Sequence, residues 1–227
     1  MNRAKTLEQL AKLCRSGRAD VVAPMIEPSG VSALDAALPG GGWQAGTIVE
    51  LMPTDIGVGE LRLVMPALAR ITSADRHVAL ISPPFIPYAP ALSQQGIQLN
   101  RLLVFRAQNP RDILWSFEQT LRCRSFGAVL AWPTTIRDRD IRRLQLAAEA
   151  GDSIGFLYRP ARAARDPSPA AVRLRLHATA DGTLNIDILK CRGGRAGVSV
   201  AIGGRRLTVD KEKSTPPGAS AATTVPY

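Results

Sequence analysis

The residues best placed to do chemistry lie in the segment 46–61, GTIVELMPTDIGVGEL. An apolar strand pattern runs into a loop with two glycines and then into a helical pattern. In such a turn, backbone N–H groups and a helix N-terminus can cradle phosphates. A nucleotide would further require a Lys for the β- and γ-phosphates and a hydroxyl for magnesium, both directly after the last glycine. The loop here is built from Pro53, Thr54, Asp55, Gly57, Gly59 and Glu60, and Glu60 is followed by Leu61. A carboxylate in the place of that Lys repels phosphate. The chain's five lysines, at 5, 12, 190, 211 and 213, all lie far from this loop in sequence.

Two further charges are missing where hydrolysis would need them. The apolar strand 126–132, FGAVLAW, should end on a magnesium-coordinating Asp and ends on Trp132 and Pro133. The strand 77–82 should be followed by a water-activating Glu and is followed by PPFIPYAP. No carboxylate occurs between Asp75 and Asp112. The loop therefore reads as a degenerate phosphate loop, a tight strand-to-helix turn with no catalytic residue and no cofactor. The two histidines, His77 and His177, have no cluster of carboxylates or thiols beside them in sequence, so no metal site is expected.

The remaining chemistry is cationic. Residues 1–100 carry 8 Lys+Arg and 8 Asp+Glu, whereas residues 101–227 carry 21 and 11, so the whole net charge of +10 falls in the second part. Most of it is Arg, which forks onto phosphates and carboxylates. Two segments gather it: WPTTIRDRD (132–140), leading into a helix with Arg139, Arg142 and Arg143, and YRPARAARDPSPAA (158–171), with Arg159, Arg162 and Arg165. Sequence-independent phosphate contact, with single-stranded DNA as the ligand, is one reading. An acidic protein surface is the second. A solvated face is the third, with Asp138 pairing to Arg142 and Asp166 neutralising part of the loop. Trp43, Trp115 and Trp132 read as packing residues.

The elements that must position these groups follow from periodicity. Apolar strands at 47–52, 77–82, 101–105, 127–132 and 153–158 alternate with helices at 58–72, 110–123 and 137–150, plus a short helix after 83–90. That alternation specifies an α/β fold with a mostly parallel sheet flanked by helices. Strands at 172–180 and 183–190 around Asp181-Gly182 form a C-terminal hairpin. Residues 31–206 make the core domain. A helix is expected at 31–38 with Ser32 as N-cap. Residues 1–30 are an N-terminal helix and linker, in which Leu7, Leu10 and Leu13 form a stripe suited to protein–protein contact or self-association. Residues 207–227 read as a disordered tail. No apolar run resembles a signal peptide or the about 18 residues of a membrane span, so a cytoplasmic protein with no membrane partner is expected.

Three stretches carry a resemblance. SGVSALDAALPGGGWQAGTIVEL (29–51), LNRLLVF (99–105) and LNIDILKCRGG (184–194) resemble the RecA family in sequence and order, over about 150 residues. PGGGW followed by GELRLVMPALA (59–69) resembles a degenerate branch, the ImuA-type RecA-like and SulA-like proteins. The resemblance implies a RecA-like core without ATP turnover and an SOS-response accessory of translesion DNA synthesis and mutagenesis. It also implies partners: an ImuB-type inactive Y-family polymerase homologue, an error-prone C-family DNA polymerase, and RecA. The sibling reading is a SulA-like inhibitor of the tubulin-like division protein FtsZ. A RecA-like ATPase with an atypical loop is the third alternative. In RecA the loops facing DNA follow the strands corresponding to 127–132 and 153–158, which places both Arg segments there by resemblance.

Overall fold

The computed structural model describes residues 25–55, 57–107 and 109–203. The strands are β1 (Ile26–Glu27), β2 (Trp43–Gln44), β3 (Thr47–Pro53), β4 (His77–Ile81), β5 (Leu102–Phe105), β6 (Phe126–Ala131), β7 (Ile154–Tyr158), β8 (Val172–Ala178), β9 (Leu184–Cys191) and β10 (Ser199–Ile202). The α-helices are α1 (Ser32–Asp35), α2 (Met65–Ser73), α3 (Ala89–Gln94), α4 (Pro110–Arg122) and α5 (Asp138–Gly151). Eight strands form one sheet in the order β10-β9-β8-β3-β7-β6-β4-β5. The strands from β8 to β5 run parallel, and β9 and β10 close the other end antiparallel. This is the helix-flanked, mostly parallel sheet with an antiparallel C-terminal region that the sequence specifies.

Strands β4, β6 and β7 are buried at every residue, as strands covered on both faces must be. Alternation sorts their side chains. Val49, Leu51, Val78, Leu80, Leu130 and Phe156 face α2 with Leu68 and Ile71. Ile48, Ala79, Ile81, Val129 and Leu157 face α4 and α5 with Phe117, Leu121, Ile141 and Leu144. The two helices on that face close tightly at their C-terminal ends. A side chain at Gly151 would run into the Leu121 carbonyl oxygen. Pro110 opens α4 behind Asn109, whose side chain accepts from the Asp112 N–H at 3.0 Å.

Four expectations change. The helix expected at 58–72 begins at Met65, because Pro66 has no N–H to continue a helix from the preceding turn and takes its first positions instead. The helix at 31–38 is only four residues long and its N-cap is Val31, whose N–H donates to Ser29 Oγ at 3.1 Å; Ser32 already lies inside the turn. The part of the expected linker from Ile26 onward is packed on the domain, with Glu27 and Ser29 buried and Ile26, Pro28 and Gly30 exposed. β1 pairs antiparallel with β2, and buried Glu27 holds Arg70 at 3.2 Å. Residues 199–202 add β10, which the Gly- and Arg-rich sequence did not announce. The N-terminal helix with Leu7, Leu10 and Leu13, and the tail 207–227, lie outside the described residues.

Candidate functional site

The loop after β3 is closed by its own side chain. Gly57 and Gly59 sit at φ 89° and 92°, a left-handed backbone that glycine adopts without strain. This turns the loop back so that the Gly57 N–H points at Glu60, donating to both carboxylate oxygens at 3.2 and 3.1 Å. Glu60 is only 7% exposed. An anion seeking that N–H meets a buried negative charge already seated on it. Thr54 and Asp55 are exposed, and Pro53 is half-buried at the end of β3.

The neighbouring strand ends are filled by aromatic rings. Trp132, following β6, stacks on Tyr158, the last residue of β7, with centroids 4.6 Å apart and planes 8° from parallel. The Tyr158 hydroxyl donates to the Glu60 carbonyl at 3.5 Å. Burial, aided by the Glu60 charge, pushes the Tyr158 hydroxyl well above its usual pKa. Trp132 thus occupies the position where an Asp was sought, as a packing residue. Trp43 packs edge-on against Phe156 at 5.4 Å.

Sequence reasoning missed an ion cluster. Glu50, in the middle of β3, is fully buried. Its Oε1 accepts from Arg159 Nη1 at 2.7 Å and its Oε2 from Arg173 Nε at 2.6 Å. Arg173 stands beside Glu50 in the β3–β8 register, and its Nη2 donates to the Ala163 carbonyl at 2.7 Å. The signal lay in the sequence: a Glu inside the apolar run TIVELM and an Arg inside VRLRL both demand a buried partner.

The Arg segments divide accordingly. Arg159, expected on an exposed loop, has a side chain only 10% exposed and turned inward to Glu50, with Asp166 also 3.9 Å away. Arg162 and Arg165 are exposed on the 3-10 turn Ala161–Arg165. Arg139, Arg142 and Arg143 are exposed on α5, and Arg143 is ion-paired with Glu118 of α4. The segments after β6 and β7 leave adjacent parallel strands at the same end of the sheet. Within these two segments, the exposed cations that make no ion pair among the described residues are Arg137, Arg139, Arg142, Arg162 and Arg165.

A second overlooked feature is apolar. The loop between β4 and α3 exposes Phe85, Ile86 and Tyr88 at 68, 81 and 71%. It sits where PPFIPYAP replaces the sought Glu. Among the described residues no three His, Cys, Asp or Glu side chains converge to hold a metal, and no helix is long and apolar enough to cross a membrane.

Residues 46–155 match the family model for the cell division inhibitor SulA. The chain is 27% identical to the cell division inhibitor SulA of Yersinia pestis (strain Pestoides F) over 116 residues, 51% of this chain and 69% of that protein. The SulA of Yersinia pseudotuberculosis serotype O:1b (strain IP 31758) is similar to the same extent. The chain thus carries a SulA-like domain at distant homology. The matched span runs from the glycine before β3 into β7. It includes the Glu60 loop, the apolar loop and α5, and leaves out Arg159, Arg162, Arg165 and β8 to β10.

Proposed function

We propose that this chain is a non-catalytic SulA-like protein of the DNA-damage response that acts by occupying a partner protein. The observation that carries the reading is the Glu60 carboxylate on the Gly57 N–H, with Trp132 and Tyr158 filling the adjacent strand ends. Phosphoryl transfer depends on positioned positive charge, and at this loop the charge is reversed. The fold keeps the architecture of a nucleotide site and uses it as packing. Similarity to cell division inhibitors makes an FtsZ-type division protein the first partner. The test is co-sedimentation of purified FtsZ polymers with increasing amounts of this chain. Loss of polymer mass near equimolar ratio supports the reading, and unchanged polymer at excess rejects it.

A second reading rests on what lies outside the matched residues. β8, β9 and β10 extend the sheet, and β8 supplies the Arg173 that anchors the loop bearing Arg162 and Arg165. That addition suits the ImuA-type reading, a translesion-synthesis accessory binding an inactive Y-family polymerase homologue, an error-prone C-family polymerase, RecA or single-stranded DNA. Co-purification from DNA-damaged cells separates the two: retention of the polymerase homologue without a division protein favours the second.

A further inference from the structure

The corner of the sheet at β4 and β5 combines three features that the readings above leave unused. The first is an open edge: β5 is the terminal strand, paired on one side with β4 alone. The Phe105 carbonyl points toward β4, accepting from the Ser82 N–H at 2.7 Å. Alternation along the strand therefore turns the N–H and C=O of Val104 outward, and Val104 is 39% exposed. The second is the apolar loop. Ser82 Oγ accepts from the Ala107 N–H at 2.9 Å, which ties the start of the loop carrying Phe85, Ile86 and Tyr88 to the chain leaving β5. The third is charge. Residues 76–111 contain four Arg and no Asp or Glu. Of these, Arg106 and Arg111, flanking the exit of β5, are exposed and make no ion pair among the described residues.

We infer that this corner is a docking surface for an extended, acidic segment of a partner protein, added as a further strand on the outer edge of β5. The main chain of that segment bonds to Val104, its apolar side chains pack on Phe85, Ile86 and Tyr88, and its carboxylates meet Arg106 and Arg111. A protein segment suits the corner better than a nucleic acid because an extended main chain repeats the donor and acceptor spacing of an open strand edge such as that at Val104. The inference concerns how a partner is held. It stands whichever partner the reading above proves to have, and it survives failure of the FtsZ test.

The experiment titrates the full isotope-labelled chain with a short synthetic peptide alternating Val and Glu, its Val–Lys counterpart, an N-methylated Val–Glu peptide, and an oligothymidylate. The Val–Glu peptide should shift the amide signals of Val104, Ile86 and Arg106 in one saturable event. Ile86→Asp should raise its Kd about tenfold, the usual loss for an exposed anchor. Arg106→Glu with Arg111→Glu should weaken it similarly, and N-methylation should abolish binding. Ile86 and both Arg are exposed, so the variants should keep the parent's amide spectrum elsewhere. Absence of binding, equal binding of the Val–Lys peptide, or shifts centred elsewhere overturn the inference. So does an oligothymidylate that shifts this corner when the Val–Glu peptide does not, which would make it a nucleic-acid face.

Discussion

Glu60 and Gly57 are joined through two contacts of the carboxylate to one backbone N–H, at 3.2 and 3.1 Å, in the loop where a nucleotide-binding protein would hold phosphate. The side chain supplies the anion that the loop geometry invites. The loop is closed without a ligand, because its left-handed glycines turn the Gly57 N–H toward an acceptor that the chain itself supplies.

Glu60→Ala should cost about 1.5–3 kcal/mol of stability, the usual worth of hydrogen bonds to a charged group, read from urea unfolding. Glu60→Lys should not create an ATPase. It supplies one missing charge and leaves Trp132 and the PPFIP segment where an Asp and a Glu would be required. Purified parent and Glu60→Lys protein, with or without single-stranded DNA, should match a buffer blank. Turnover in either would overturn the proposed non-catalytic reading.

The Glu50 cluster gives the sharpest stability contrast. Glu50→Ala strands two largely buried guanidinium groups and should cost about 3–5 kcal/mol, as breaking a buried pair does. Arg162→Ala and Arg165→Ala, on exposed positions of the same loop, should change stability by within about 0.5 kcal/mol. Denaturant midpoints of the three variants decide the matter. If Glu50→Ala unfolds like the parent, the cluster does not hold the loop.

The sheet was legible because its central strands are buried on both faces and read as unbroken apolar runs. Helix α2 shows the limit. The periodic residues Leu63, Val64, Leu68 and Ile71 are all buried as a helical pattern requires, yet the first of them precede the helix. Periodicity records which side chains face the core, and Pro66 decides where the hydrogen bonding starts. Arg159 shows the other limit. It follows the last strand residue Tyr158 and precedes Pro160, Ala161 and Arg162, and its burial is fixed by Glu50, 109 positions away, which no local pattern reports. The apolar loop carries a signal of its own: Phe85, Ile86 and Tyr88 are apolar residues set among prolines, outside any periodic segment.

Tyr158 makes the fold alkali-sensitive. Its hydroxyl is buried and lies near the Glu60 charge, so its pKa in the folded chain is well above the ordinary value of about 10. The folded state then holds the proton more tightly than the unfolded state. This contribution is complete below about pH 10 and is lost as pH rises beyond it. The urea midpoint should fall between pH 9 and 11 in the parent and fall less in Tyr158→Phe. Equal slopes in both proteins would place the alkaline transition elsewhere.

The exposed cations bear on DNA. With Arg159 committed to Glu50, the cations of the two Arg segments left to meet phosphates are Arg137, Arg139, Arg142, Arg162 and Arg165. Each single-strand phosphate contact contributes about 0.7 to the slope of log affinity against log salt. Replacing Arg162 and Arg165 by Ala should therefore flatten that slope by about 1.4 if each makes one contact, and extending the change to Arg139 and Arg142 should flatten it by about as much again. Arg159→Ala is the control that separates charge from structure. It should leave the slope unchanged per folded molecule while lowering the unfolding midpoint. Anisotropy of a labelled single strand across a salt series, with folded fraction measured in the same samples, gives both quantities. An Arg162/Arg165 double variant with parental slope and affinity would remove DNA contact by these two residues and leave an acidic protein surface or a solvated face as the readings.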